Sequence, residues 1–277
     1  MNSTNFKSLF LFFTIILPCL GICIDYSPRL GEMLVFDWRN SLLYQTYPSI
    51  STGNETQKKS ADDIFLTTSL STSVLQFGLE IEATEAFTHR QHGTPDNLAL
   101  TFKYLYWDDV AGDPFSLTTG LSLIQAFNPS LNDLSSFHHG KAGGEIFVSV
   151  GKETACMEEW VRRWYSTIAL GLADKGSPWL RCNWGYDFKF NEENEWKFFC
   201  HSLFGLGGKQ LHLDHFRGYG SIRHRSIELG LRYTYVFELF GKLNFQYSNR
   251  VFAKNFPSRA HLFLIEFVYD FGIDSFL

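Results

Sequence analysis

Read for its apolar and polar positions, the chain alternates with a period of two over most of its length, the mark of extended segments whose two faces differ. Between Leu243 and Val251, Leu243, Phe245, Tyr247 and Val251 share one face with Asn249, while Lys242, Asn244, Gln246, Ser248 and Arg250 share the other. From Ser226 to Phe237, Ile227, Leu229, Leu231, Tyr233, Tyr235 and Phe237 oppose Glu228, Gly230, Arg232 and Thr234. Leu180, Cys182, Trp184, Tyr186, Phe188 and Phe190 oppose Arg181, Asn183, Gly185, Asp187 and Lys189, and Leu75, Phe77, Leu79 and Ile81 oppose Gln76, Gly78, Glu80 and Glu82. The final run sets Phe263, Ile265, Phe267, Tyr269 and Phe271 against Leu262, Leu264, Glu266, Val268 and Asp270, a less polar second face. The pattern predicts about twelve strands, near 34–44, 61–71, 74–87, 97–107, 115–127, 141–151, 161–173, 179–191, 195–207, 225–237, 239–253 and 259–271. Alternation is weak at 34–44 and 195–207.

Most of these segments run to about 11 residues, longer than soluble strands and close to what a tilted strand needs to cross a bilayer. The joins between them alternate in length. Residues 47–60, 88–96, 128–140 and 207–224 are long and follow odd strands, whereas 71–73, 108–114, 191–194 and the join near Leu239 are short and follow even ones. Outer-membrane barrels alternate long external loops with short periplasmic turns in this way. Two joins break the rule, since 152–160 is long for a turn and 174–178 is short for an external loop.

Ahead of the strands, Lys7 precedes an apolar core from Leu9 to Leu17, then Pro18 and Gly21, which reads as an export leader over residues 1–23. Cleavage is expected after Gly21 or Cys23, and residues 24–277 read as one domain; Leu20-Gly21-Ile22-Cys23 is a poor lipidation site because Ile stands where a small residue is expected. No later stretch is apolar over enough consecutive residues for a transmembrane helix. Yet aromatic residues make up 17% of the chain, with 28 Phe, 12 Tyr and 7 Trp against 19% charged residues. A soluble sandwich would also alternate, with its apolar face inward. Leader, strand length, aromatic load and loop asymmetry together select an all-β fold, a single antiparallel transmembrane barrel whose even strand count puts both termini on the periplasmic side.

The closing segment Glu266-Phe267-Val268-Tyr269-Asp270-Phe271 resembles the last strand of Gram-negative outer-membrane β-barrel proteins, the porin- and transporter-like class. The resemblance implies an outer-membrane location, membrane lipid as surroundings, and recognition of the C-terminal strand by the barrel-insertion machinery. The chain departs from it by continuing from Gly272 to Leu277, with Phe276 penultimate.

The polar faces supply the candidate chemistry. Glu80, Glu82, Lys103, Arg181, Asp187, Lys189, Glu228, Arg232, Lys242, Arg250, Glu266 and Asp270 are expected to line the lumen, with a basic lean between residues 180 and 250. Basic groups facing acidic ones across a narrow bore would select permeants by charge, so the expectation is a channel or transporter for small solutes. A closed barrel filled by paired charges, serving as a structural or adhesive surface component, is the alternative. The net charge of −5 leaves no basic footprint for nucleic acid. No cofactor is expected. His212, Asp214, His215 and His224 share a loop and could hold a divalent metal, but Arg217, Arg223 and Arg225 would repel it. His224 and Ser226, two apart as in barrel phospholipases of the outer membrane, suggest a hydrolase with Asn244 as third member; Ile227-Glu228 stands where those enzymes carry Asn-Gly. Trp160, Arg162, Arg163 and Trp164 are expected to open a strand with interfacial anchors. Cys156, Cys182 and Cys200 lack CxxC spacing; Cys182 and Cys200 fall on neighbouring strands and either pair or pack as small apolar groups.

Overall fold

A computed structural model of the protein describes residues 25–272 apart from 54, 157–158 and 239–240. The export leader and the residues after Gly272 lie outside the described residues. The strands are β1 (Val35–Thr52), β2 (Glu55–Val74), β3 (Phe77–Phe87), β4 (His92–Trp107), β5 (Ser116–Ala126), β6 (Ala142–Cys156), β7 (Glu159–Ala173), β8 (Trp179–Asn191), β9 (Asn194–Gly205), β10 (Arg225–Phe237), β11 (Gly241–Lys254), the three-residue β12 (Phe256–Ser258) and β13 (His261–Gly272). A short helix, α1 (Asn128–Leu131), sits between β5 and β6. No helix among the described residues is long and apolar enough to cross a membrane.

Each long strand pairs antiparallel with the next, and β1 pairs with both β2 and β13, so the sheet closes on itself. The seam runs from Val35↔Gly272 to Thr46↔His261. Setting aside β12, a small extension on β1, twelve strands form the wall. Closure leaves no unpaired edge, the condition that a sheet must meet in hydrocarbon.

Register sorts the side chains into an outer and an inner set. Across β10 and β11, Tyr233↔Phe245 and Leu231↔Tyr247 point out, while Thr234↔Asn244, Arg232↔Gln246 and Gly230↔Ser248 point in. The apolar set is the exposed one: Phe245 is 44% and Ile265 49% exposed, with Ile81, Leu121, Val148 and Ile168 in the same belt. Small hydroxylated residues pack the inside, as in the Thr101–Ser122 and Ser149–Thr167 hydrogen bonds at 2.9 and 2.8 Å. Several inward rings each lie over a glycine paired directly across the ladder: Phe147 over Gly120, Trp179 over Gly171, Tyr165 over Gly185 and Phe199 over Gly230. A Cβ on Gly230 would come within 2.0 Å of the Phe199 ring, so only glycine lets that ring lie flat in the narrow bore.

The predicted strands at 34–44 and 61–71 are too short. β1 and β2 continue to Thr52 and from Glu55, and the expected 47–60 loop is a strand hairpin that turns at Gly53, φ 66°. Apart from Tyr47 and Ile50 its residues are mostly polar, and a bulge between Tyr47 and Ser49 breaks the period, so little alternation is left to read, yet they complete the ladder. Residues 88–96 are likewise mostly strand, because β4 starts at His92. The long join expected at 152–160 is instead mostly strand, since β6 runs to Cys156 and β7 starts at Glu159. The long loops 127–141 and 206–224 and the short join 174–178 stand as expected.

Candidate functional site

The lumen is the site that this fold builds, and the predicted wet face lines it. Glu80 and Glu82 lie on β3, Lys103 on β4, Arg181, Asp187 and Lys189 on β8, Glu228 and Arg232 on β10, Lys242 and Arg250 on β11, and Glu266 and Asp270 on β13, all at inward positions. The charges pair chiefly along the wall, not across the bore as the sequence suggested. Arg250 Nε donates to Glu228 at 2.8 Å on the neighbouring strand, Arg232 stands 3.7 Å from Glu266, and Lys197 3.5 Å from Asp187. Lys189 pairs with Glu159 at 2.8 Å and Arg39 with Glu80 at 3.5 Å. Short side chains between strands make the near partner cheaper to reach than the far wall. The closest hub is Glu145, buried on β6, which accepts hydrogen bonds from Arg181 Nη2 at 2.9 Å, Trp179 Nε1 at 2.6 Å and the Tyr26 hydroxyl at 2.6 Å.

Tyr26 belongs to a feature that alternation could not reveal. Leu34, at φ 61°, turns the chain back from the rim, and residues 25–33 run up inside the barrel. The Ser73 hydroxyl donates to the Gly31 and Glu32 carbonyls, Thr118 to the Pro28 carbonyl and Thr167 to the Tyr26 carbonyl. Lys103 Nζ binds Asp25 at 3.1 Å, and Arg29 lies 3.4 Å from Glu153. Beside this strap a cavity of about 40 Å³ remains, lined by Asp25, Arg29, Asp37, Arg39, Glu80 and Lys103 among others.

At the opposite mouth the two long loops fold inward and share a small apolar core. Tyr47, Ile50, Leu134, Leu211, Phe216, Tyr219, Ile222, Phe256 and Ala260 are buried together, with Phe137 packed against them. Beneath it, His139 stacks on Trp179 with centroids 3.7 Å apart, and its Nε2 lies 3.0 Å from Nε2 of the fully buried His224. Burial pushes the His224 imidazole down to about 4. His139 is also held well below the ordinary imidazole value, first by burial and then by His224, Arg181 and His138. His138 instead bonds Asp96 at 2.8 Å.

The hydrolase expectation fails on geometry. His224 addresses His139 and not Ser226; Ser226 pairs with Ala253, whereas Asn244 pairs with Thr234 and bonds Thr234 and Glu266. Nine positions along β11 separate Asn244 from the Ser226 level, roughly 30 Å of strand. Nor do His212, Asp214, His215 and His224 converge, because among the described residues no group of three or more His, Cys, Asp or Glu is arranged to hold a metal. Cys156, Cys182 and Cys200 are free thiols, the last two on the adjacent strands expected. Trp160 lies in β7 and stacks under Arg163, whose guanidinium carbon is 3.9 Å from the ring centre. Arg39, Glu145, Lys197 and the strap were missed by sequence reasoning. β1 and β9 alternate weakly because Leu43, Phe199 and Leu203 also face inward, and Glu145 stands alone in the glycine-rich start of β6.

A closed twelve-strand wall, apolar outside and ion-paired inside, defines a transmembrane β-barrel of the outer-membrane type. Solved structures share this fold. Over 90% of this chain and 100% of that one, it superposes on an outer membrane channel from Pseudomonas putida F1 with a TM-score of 0.67 at 9% identity. The NanC porin matches 84% of this chain and 98% of its own, with a TM-score of 0.55 at 8% identity. The KdgM porin matches 86% and 99%, with a TM-score of 0.50 at 12% identity. No protein-family model matches the chain, and no curated protein does.

Proposed function

We propose that the protein resides in the bacterial outer membrane and passes small polar solutes through its lumen, with residues 25–33 as the element that sets how wide the path is. The carrying observation is the set of paired charges that line the inside of an apolar wall. A barrel that only needed to be filled could use apolar side chains, and ion pairs that exchange partners offer a route for a hydrated solute. Likeness of fold to a channel and two porins supports the same reading. Arg181, Lys197, Arg232, Lys242 and Arg250 gather on the β8–β11 wall, opposite Glu80 and Glu82 on β3, so a transverse field orients dipolar or zwitterionic solutes.

The strap is held by hydrogen bonds and ion pairs, not by an apolar core, so it can leave without unfolding the wall. In planar bilayers the mature chain is expected to give small, infrequent conductance steps. A variant lacking residues 25–33 is expected to give larger ones. Absence of steps in both proteins, across salts and voltages, contradicts the channel reading; equal steps in both contradict the role of the strap.

A further inference from the structure

We propose that the loop-end rim carries a site for a phosphate-bearing lipid of the adjoining leaflet, built by Arg223, Arg225 and Lys254 over an apolar groove between β8, β9 and β10. The proposal rests on the barrel lying in a membrane and not on solute passage. The register of β10 places Arg225 outward, opposite Phe204 on β9 and Lys254 on β11. Arg223 and Arg225 are exposed, Lys254 is half-exposed, and Lys209 is exposed next to them along the loop that returns at Ile222. Among the described residues none of these four side chains has an ion-pair partner, in a protein whose lumenal cations are nearly all paired. Asp174, on the β7–β8 join, is engaged by the backbone N–H of Lys141.

Arg223 and Arg225 border a groove of about 660 Å³ lined otherwise by Leu180, Phe204, Leu206, Gly205, Gly207 and Gly208. Leu206 is 58% exposed, and Leu229 and Phe252 continue the apolar surface toward the bilayer centre. An acyl chain can lie along Leu180, Phe204 and Leu206 while the guanidinium forks above take a phosphate in the bidentate geometry that arginine favours. Cations at this height complement an anionic headgroup, and the run of glycines keeps the groove open. A side chain at Gly208 would meet no atom within 4 Å, so it can be enlarged without disturbing the wall.

The test uses the mature protein reconstituted in phosphatidylcholine nanodiscs doped with a bis-phosphorylated acylated glucosamine disaccharide, or with its dephosphorylated form, followed by native mass spectrometry of the released barrel. The wild type is expected to retain one phosphorylated glycolipid and to lose it on dephosphorylation. Arg223→Glu with Arg225→Glu, and separately Gly208→Trp, are expected to cut retention by about tenfold or more, with gel migration of the unheated, folded barrel unchanged. Equal retention by wild type and both variants overturns the proposal. So does equal retention of both lipid forms, or displacement by inorganic phosphate as complete as by the glycolipid, which would mark a free-anion site. Failure of the barrel to enter nanodiscs at all would instead sink the membrane reading beneath it.

Discussion

Glu145 shows how one side chain can organise a lumen. Three donors converge on its carboxylate from two parts of the chain: Arg181 and Trp179 on β8, and Tyr26 on the strap. Removing one partner of a buried ion pair leaves the other charge uncompensated, which costs far more than the pair contributes. Arg181→Met is therefore expected to destabilise the barrel by about 3–5 kcal/mol, read from urea unfolding in lipid vesicles. Joint replacement of Arg181 and Glu145 by Met is expected to recover most of that loss. The histidine pair gives a prediction of opposite kind. Its imidazoles are neutral when the cap is closed, and a released loop would bind protons from about pH 6.5 downward, so cap stability is full above that value and falls as pH drops toward 4. His224 alone accounts for roughly 3 kcal/mol over that window. Hydrogen exchange in residues 127–141 and 206–224 should be slow at pH 7 and, corrected for intrinsic rates, much faster near pH 4.5; unchanged protection would refute the mechanism. Arg181 was legible as a lumenal cation, but its partner Glu145 and the pairing of His224 with His139 were not, because these contacts form only through folding and carry no local spacing.

Strands were far more legible, wherever the two faces meet different solvents. β8, β10 and β11 each separate lipid-facing from lumen-facing residues cleanly, and their bounds were readable to within a residue or two. β1 and β9 read poorly because the lumen also holds Leu43, Phe199 and Leu203. The β1–β2 hairpin past Tyr47 read as loop because its residues are mostly polar and a bulge between Tyr47 and Ser49 breaks the period, leaving little contrast to detect. Gly185 and Gly230, counted with the polar face in the sequence, are seats for rings from the next strand. Gly230→Leu is expected to displace Phe199 and destabilise the barrel by about 1–3 kcal/mol, measured by the shift in its unfolding midpoint. Gly112, whose missing Cβ would meet nothing within 4 Å but whose φ is 112°, should cost only its backbone strain when changed to Ala.

For the whole molecule, one inversion governs everything else: the apolar faces look outward and the charges look inward, the reverse of a soluble protein. Twelve long strands closing into one wall followed from the chain, while the filling of the bore did not, since a strap and two inward loops leave no periodic trace. If hydrocarbon surrounds the belt, a charge at its middle must be penalised, and Ile81→Arg is expected to destabilise by about 2–4 kcal/mol in bilayers. The most direct measurement replaces the native cysteines by serine and attaches nitroxide labels at positions 81, 245 and 265 of the reconstituted protein. Each label should relax rapidly with oxygen, which concentrates in lipid, and remain insensitive to a water-soluble nickel chelate. Labels shielded from both reagents, as in a dry interior between facing sheets, or open to the chelate, as on an aqueous surface, would contradict the account.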